Sequence, residues 1–354
     1  MKPSDRFEVY ELTPKFLDQP ERFNDWYFTA HFEHEGQPYL VKLSITEGSL
    51  LGQATHFTFS QDPLQLEEAP DYKGTCLVLH PSPNDLIDIE ENLPLLHTAE
   101  GDTIKVAMGS LQATLRPDQQ HIIYEKDGIH ADLTFTPRGP ILHWEHKAGA
   151  VCQVTDVTRV SGSESLCDVR GEFTLHGRTF PVVGRGLFEH VWFSALNFFE
   201  IRHMNWIYAH FDEFYMYICH CESITSESRP FHFETGEMYF VLNDEFMIAE
   251  SLEVTPEQWV FLEEARRFIP LENSVIVRAA QGVLRLKVRL AHYPSILRPP
   301  ARLEGLTVDN VPGWQSLFFD GPVALEGKFT YKDGRVIPLE HGVGVNEVIR
   351  MSAL

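Results

Sequence analysis

Short runs in which apolar and polar residues alternate recur along the chain, separated by turn residues. In the clearest example, Ile129, Ala131, Leu133 and Phe135 alternate with polar neighbours directly after Asp127-Gly128. Successive side chains of a strand point to opposite faces of a sheet, and an Asp-Gly pair favours the tight turn of a hairpin. The pattern therefore predicts a hairpin with one buried face and one wet face.

The same reasoning predicts an all-β chain, because most apolar runs are short and bounded by Pro, Gly or Asp. The predicted strands cover residues 26–32, 39–45, 56–60, 75–79, 111–115, 121–124, 129–135, 171–175, 178–183, 238–242, 274–278, 284–290, 328–331 and 336–339. The polar run 161–165 (SGSES) is predicted to be a loop. At 255–268 local rules predict a helix, because Thr255, Pro256 and Gln258 form an N-terminal capping pattern.

The length predicts two domains. A chain of 354 residues exceeds one small core, and domains average about 150 residues. The aromatic pattern around Trp26 and Phe28 returns, with one residue fewer, around Trp206 and Tyr208, which favours two similar halves. We expect an N-terminal domain at 1–195 and a C-terminal domain at 196–354.

Charge and composition argue against several classes of partner. A formal net charge of -22 opposes phosphate backbones and anionic lipid, so no nucleic acid is expected to bind. No apolar run is long enough for a membrane helix, and the N-terminus lacks the apolar core of a signal peptide. We therefore expect no stable membrane insertion and a cytoplasmic protein, whose oligomeric state the sequence does not indicate.

No cofactor or metal is expected from the motifs. The chain has no Walker loop, no dinucleotide fingerprint and no serine nucleophile elbow. Five cysteines, an odd and small number, predict reduced thiols. Strand alternation separates His220 from its neighbours Cys219 and Cys221, and it also divides the run 143–146 (HWEH) between two faces, which argues against a metal site in either place.

The richest stretch for chemistry is 184–221, in which aromatic, histidine and acidic residues are crowded together. On a strand, His190 and Trp192 share a face with Phe188, a candidate for substrate binding, while Glu189 points to the other side. If the His190 face lines a pocket, His190 can act as acid or base, Trp192 can hold a polarised intermediate, and Glu189 supports them from behind. Alternatively, His190 and Trp192 are core residues.

Two neighbouring strands supply further aromatic candidates for substrate binding. Trp206, Tyr208 and His210 share one strand face, and Tyr215 and Tyr217 share a face of the next strand. Tyrosine hydroxyls inside an apolar barrel could orient a substrate carbonyl, although an aromatic core is an equal alternative. The acids to consider for protonating carbon are Glu189, Asp320 and Glu347, of which the last two lie near the end of the chain.

Several motifs, in order over almost the whole chain, resemble a known family. They are Asp25-Trp26-Tyr27-Phe28, Gly186 with Glu189-His190-Val191-Trp192, Asn205-Trp206-Ile207-Tyr208, Phe318-Phe319-Asp320-Gly321 with Glu326-Gly327, and the run 342–347 (GVGVNE). This set resembles the lipocalin-like group that includes AttH-type proteins, carotenoid 1,2-hydratases and fungal decalin-forming Diels-Alderases. In that group an Asp usually precedes the His-x-Trp pair and a Gly follows it, whereas this chain has Glu189 and Phe193.

The resemblance implies two calycin-like antiparallel β domains, each a barrel or sandwich, with an apolar pocket. It also implies a strand rather than a helix around Trp259. The resulting hypothesis is a cofactor-independent isomerase, cyclase or hydratase that acts on a hydrophobic polyene, isoprenoid or polyketide-like molecule. The alternative is a noncatalytic carrier of lipids or other hydrophobic ligands, for which the same pocket would suffice.

Overall fold

A computed structural model describes most of the chain. The described residues are 4–19, 22–48, 52–60, 64–68, 76–80, 86–91, 93–153, 158–194, 201–224, 230–262, 267–292, 294–296 and 314–353. Within them the only helix, α1 (Val9–Leu12), is four residues long, so no helix there could cross a membrane.

The described residues are mostly β-strand, as the alternating pattern predicts. In chain order the strands are β1 (Arg22–His34), β2 (Gln37–Gly48), β3 (Gly52–Ser60), β4 (Gln65–Glu68), β5 (Cys76–His80), β6 (Leu86–Glu91), β7 (Leu96–Glu100), β8 (Thr103–Met108), β9 (Leu111–Arg116), β10 (Gln119–Lys126), β11 (Ile129–Pro137), β12 (Leu142–His143), β13 (Cys152–Gln153), β14 (Arg159–Leu175), β15 (Arg178–Ser194), β16 (Ile201–His210), β17 (Phe214–Ile224), β18 (Pro230–Phe240), β19 (Glu245–Leu262), β20 (Arg267–Ala279), β21 (Gly282–Leu290), β22 (Ser295–Ile296), β23 (Trp314–Tyr331) and β24 (Val336–Ala353).

The strands form two compact units. The first unit contains β1–β3 and β6–β15, and the second contains β4, β5 and β16–β24. The predicted domain boundary near residue 195 stays a prediction, and β4 and β5 group with the second unit although they precede it.

The first unit is one sheet around one hydrophobic core. Its strands follow the order β6-β3-β2-β1-β15-β14-β11-β10-β9-β8-β7, and β12 and β13 also pair with β14. β15 lies between β1 and β14 and is antiparallel to both. The core includes Trp26 and Phe28 of β1, Phe188 of β15, and Phe7 and Leu12 from the N-terminal residues.

The second unit contains a closed antiparallel barrel. In the described residues the barrel runs β16-β17-β18-β19-β20-β21-β23-β24 and closes because β24 pairs with β16. β5 is added parallel to β19, and β4 pairs with β5. On β21, Leu284 and Leu286 belong to the core whereas Arg285 and Lys287 are exposed, as their alternation predicts.

The predicted hairpin at Asp127-Gly128 is confirmed, and Asp333-Gly334 lies in a second hairpin turn. Asp127 and Gly128 have positive φ and join β10 to β11, with Lys126 paired to Ile129. Gly334, also at positive φ, lies in the turn between β23 and β24. The all-β architecture predicted from the alternating pattern is therefore the observed fold class.

Two predictions about secondary structure are wrong. The run 161–165, predicted to be a loop, is buried within β14. Its glycine reflects close packing rather than a turn, because a Cβ on Gly162 would lie 2.6 Å from the Trp144 ring. The helix predicted at 255–268 is replaced through Leu262 by strand β19, where Trp259 pairs with Pro270, while 263–266 lie outside the described residues. The family resemblance gives the correct structure around Trp259.

Candidate functional site

β15 separates the predicted catalytic residues onto two faces. Phe188, His190 and Trp192 are fully buried on one face, and Phe188 belongs to the core of the first unit. Glu189 is buried on the opposite face, where it pairs in register with Glu164 of β14. The core-side face of this strand is therefore the His190 face, and Glu189 does not share its surroundings.

His190 is a neutral imidazole with one unused nitrogen. Its ring stacks on Trp26, with centroids 4.4 Å apart, and its Nδ1 donates to the Glu11 carbonyl oxygen at 2.5 Å. Burial and the nearby charge of Lys15 lower the pKa of His190 to about 3, although the bond to Glu11 opposes this shift. Nε2 is buried without a hydrogen-bond partner among the described residues, so it offers a free acceptor at neutral pH.

Trp192 supplies the complementary donor. Its Nε1–H is also buried without a described hydrogen-bond partner, and its ring centroid lies 5.0 Å from that of His190. On its other side lie the Tyr10 ring, edge-on at 6.3 Å, and the Lys15 ammonium, 5.2 Å from the indole centroid. An unsatisfied acceptor and an unsatisfied donor are thus adjacent on one strand face.

Residues 7–15, here called the N-terminal segment, cover this strand face. The segment meets three successive same-face positions of β15, with Phe7 against Phe188, Glu11 against His190, and Lys15 against Trp192. Because these contacts join positions about 180 residues apart, the sequence offers no local signal for them.

Side chains of β1 and β2 anchor the N-terminal segment. Trp26 Nε1 donates to the Leu12 carbonyl at 3.1 Å. Asn24 makes two bonds to the backbone of Lys15: its Oδ1 accepts from the amide at 2.7 Å, and its Nδ2 donates to the carbonyl at 3.0 Å. Nδ2 also donates to the buried carboxylate of Glu47. The position of Lys15 is therefore fixed through its backbone.

Lys15 is an amine that titrates near neutral pH. It is only 6% exposed, and its Nζ donates to the Tyr10 carbonyl and lies 3.4 Å from the Tyr10 ring centroid. Burial lowers the pKa of Lys15 to about 7, against the opposing attraction of Glu11. The group can therefore give or accept a proton at the pH of a cell, and the sequence alone did not identify it.

The Glu11 carboxylate is the centre of a buried polar cluster. Ser163 Oγ donates to Glu11 Oε1, His143 Nε2 lies 2.9 Å from the same oxygen, and the Glu8 amide donates to Oε2. Burial alone would raise the pKa of Glu11, but the bonds and the attraction of His143 outweigh it, so the pKa is lowered. His143 thus belongs to a buried ion pair rather than to a metal motif with His146.

Of the predicted substrate-binding residues, Phe188 lies in the first unit and the other five lie in the second. Trp206, Tyr208 and His210 of β16 and Tyr215 and Tyr217 of β17 are all buried. Alternation places them on the strand faces opposite to Ile207 and Met216, which form the barrel core. The Tyr217 hydroxyl bonds Thr235 on β18 at 3.2 Å, and a role of these residues in substrate binding stays a prediction.

The acids considered for protonating carbon are dispersed. Asp320 of β23 is directly opposite Glu347 of β24, and Glu347 is opposite Trp206 of β16, all in the second unit. Glu189 lies in the first unit, where Glu164 accepts a bond from Trp144 at 2.8 Å. Glu189 therefore lies on the face of β15 opposite to His190, and Asp320 and Glu347 belong to the other unit.

Comparison with known proteins identifies the fold. The sequence matches no protein-family model and no curated protein. Among solved structures it is similar to a protein assigned as AttH from Nitrosomonas europaea, with a TM-score of 0.63, 13% identity, and coverage of 97% of this chain and 96% of that one. It is also similar to CghA in complex with Sch210972, with a TM-score of 0.64, 10% identity, and coverage of 99% of this chain and 94% of that one. Kievitone hydratase from Nectria haematococca has a TM-score of 0.55 and 12% identity, with coverage of 100% of this chain and 98% of that one. The chain thus has the fold of the AttH-type proteins whose motifs it resembles.

Proposed function

We propose that this chain is an enzyme of the hydratase or isomerase/cyclase type, acting on a hydrophobic polyene, isoprenoid or polyketide-like small molecule. The observation that carries the proposal is the pair of unsatisfied polar groups, His190 Nε2 and Trp192 Nε1, buried on one strand face. Buried polar groups are nearly always hydrogen-bonded, so we expect a bound molecule to supply the missing hydrogen-bond partners of this pair. A polar substrate group is such a partner.

The pair suits proton transfer next to a carbonyl. The Trp192 N–H would donate to the substrate oxygen, where negative charge develops. The neutral His190 Nε2 would accept a hydrogen bond from an attacking water or a substrate hydroxyl, and Lys15, whose pKa is about 7, would take up the proton that is released and return one to the product. Rings of Trp26 and Tyr10 beside these groups suit an apolar substrate.

The comparisons support the same class of chemistry. By its name, kievitone hydratase is a hydratase, and CghA has been solved with the small molecule Sch210972. A carrier would need only apolar side chains around its ligand. Here the buried face of β15 and the segment on it carry a hydrogen-bond acceptor on His190, a donor on Trp192 and the titrating amine of Lys15.

The experiment compares turnover with binding in the His190→Asn variant. Asn retains a donor that can replace Nδ1–H toward the Glu11 carbonyl, but it lacks the acceptor at the Nε2 position. Purified protein is incubated with extracts of its host and with a panel of conjugated polyenes and enones, and mass spectrometry follows gain or loss of water or a change of retention at constant mass. We expect His190→Asn to lose about 10²- to 10⁴-fold in turnover while ligand affinity changes only a few fold.

His121→Ala provides the control, because His121 is a partly exposed histidine that contacts Asp132 on a different part of the first unit. Its turnover should equal that of the wild type. Unchanged turnover in His190→Asn would contradict the catalytic role, and a ligand that is retained but never altered by the wild type would identify a carrier instead.

A further inference from the structure

A second cluster of functional side chains lies at one end of the barrel. β17 ends at Ile224 and β18 begins at Pro230. Near the C-terminal end of β17, Ile218, His220 and Glu222 lie on the same strand face, because each is two residues from the next. Ile218 belongs to the barrel core, so this cluster continues the core-side face to the rim of the barrel.

Strand register brings a third metal-ligating residue, His232, beside His220 and Glu222. His232 of β18 is directly opposite Glu222, and Glu234 is directly opposite His220. On the other side, His203 of β16 is opposite Glu222 and its ring centroid lies 5.7 Å from that of His220. Imidazole and carboxylate groups therefore converge on one patch from three adjacent strands.

We propose that His220, Glu222 and His232 bind a first-row divalent transition metal, such as Zn²⁺ or Co²⁺, at the barrel rim. Each residue can direct one ligand atom to the site, and these atoms all lie within 4.8 Å of one another. Two imidazoles and a carboxylate are ligands for transition metals, whereas Mg²⁺ and Ca²⁺ prefer sites made of oxygen. The inference goes beyond the proposed function and does not depend on it.

Two observations favour a metal over an ordinary cross-strand charge pair. The Nδ1 atom of His220 is buried and has no hydrogen-bond partner among the described residues, so the ring is not fully used by its protein neighbours. Its Nε2 lies 3.8 Å from Glu234 Oε1, which is too long for a hydrogen bond, so the cross-strand charge pair does not fix the ring either.

Metal binding is tested on the full chain, purified without a histidine tag and stripped with a chelator. Calorimetry with Zn²⁺ and absorption spectroscopy with Co²⁺ should each reveal one bound ion per chain, and Zn²⁺ should raise the melting temperature. His220→Ala and Glu222→Gln should each weaken binding by at least about tenfold and remove the thermal shift. Circular dichroism without metal confirms that each variant is folded, and Glu222→Gln, which conserves shape, covers the case in which His220→Ala does not fold.

Two controls distinguish specific Zn²⁺ binding at these residues from nonspecific binding of cations to an acidic protein. His121→Ala removes a partly exposed histidine beside a carboxylate elsewhere, and it should bind Zn²⁺ like the wild type. Mg²⁺ should bind neither protein as a single saturable ion. The proposal is overturned if Zn²⁺ and Co²⁺ fail to bind, or if folded His220→Ala and Glu222→Gln bind them as tightly as the wild type.

Discussion

His190 owes its neutral state first to burial, to which the stacked Trp26 ring contributes, and second to the nearby charge of Lys15, whereas the hydrogen bond from Nδ1 to the Glu11 carbonyl favours the protonated form. Its pKa is lowered from 6.5 to about 3 in the folded chain. Between these values the unfolded chain binds a proton that the folded chain does not, so acidification favours unfolding.

We therefore expect the free energy of unfolding to fall by at most about 1.4 kcal/mol per pH unit on this account as the pH drops below 6.5. His190→Asn, which cannot titrate there, should show a shallower slope. Urea unfolding at several pH values above and below 6.5 measures both slopes. Parallel slopes for the two proteins would show that His190 does not carry this pH dependence.

Lys15 produces a pH dependence in a different range. Its pKa is lowered from 10.5 to about 7, so above pH 7 the folded chain loses a proton that the unfolded chain still holds. Stability should rise with pH from 7 toward 10.5, by at most about 1.4 kcal/mol per unit. Lys15→Met should lack this rise, whereas Lys105→Met, at an exposed position of β8, should keep it. Urea unfolding at pH 7 and pH 9 decides, and a rise retained by Lys15→Met would refute the assignment.

At the residue scale the sequence predicts what alternation determines and little else. The grouping of Phe188, His190 and Trp192 against Glu189 follows from the two-residue period of a strand, and the structure has it. Glu11 and Lys15 escape prediction because their partners are distant in sequence; Ser163, for example, is 152 residues from Glu11. No propensity or local motif encodes such a contact.

At the scale of elements, the N-terminal segment covers the strand face that carries the unsatisfied pair on β15. It has only one short helix of its own, and hydrogen bonds from side chains of β1 hold it in place. The segment contacts His190 through Nδ1 and Trp192 through its ring, so a shift of the segment would change the surroundings of both residues.

Asn24→Ala should loosen the segment selectively. The substitution removes both side-chain bonds to the Lys15 backbone and one to Glu47, at an expected cost of about 1–3 kcal/mol in unfolding free energy. Hydrogen exchange of the Lys15 amide should accelerate more than exchange in β10 or β11. Gln112→Ala, which removes an exposed amide on β9, is the matched control and should change neither quantity. Equal acceleration throughout the first unit would contradict a local tether.

Elements also show why local rules fail at particular places. Ser and Gly in 161–165 are typical of a loop, yet they form the part of β14 on which Trp144 and Glu11 pack, and a Cβ at Gly162 would clash with the Trp144 ring. Thr255, Pro256 and Gln258 read as a helix start, but pairing with β20 overrides their propensity, and the register shifts beside Pro256 accommodate the proline. In both cases tertiary contacts outweigh preferences of well under 2 kcal/mol.

For the molecule as a whole, the hairpins follow from sequence but the assembly of sheets does not. Turns such as Asp127-Gly128 are local, so β10 and β11 are predictable from their own residues. β5 pairs with β19, about 180 residues further along, β4 pairs with β5, and both strands join the second unit. Such a long-range parallel pairing leaves no periodic signal, which explains why a division into two sequential halves is the natural prediction from length and repeat alone.

Net charge is a property of the whole chain, and it predicts how salt affects stability. At pH 7 the chain carries -22 formal charges, and their mutual repulsion favours the expanded state. Raising NaCl from about 10 mM to about 200 mM shortens the screening length from roughly 30 Å to below 10 Å. The melting temperature should therefore rise with salt at pH 7, as measured by calorimetry or intrinsic fluorescence.

At pH 5.1, close to the isoelectric point, the same addition of NaCl should have little effect on the melting temperature, because the net charge is near zero. An equal rise at both pH values would assign the stabilisation to ion exclusion or specific ion binding rather than to screened self-repulsion.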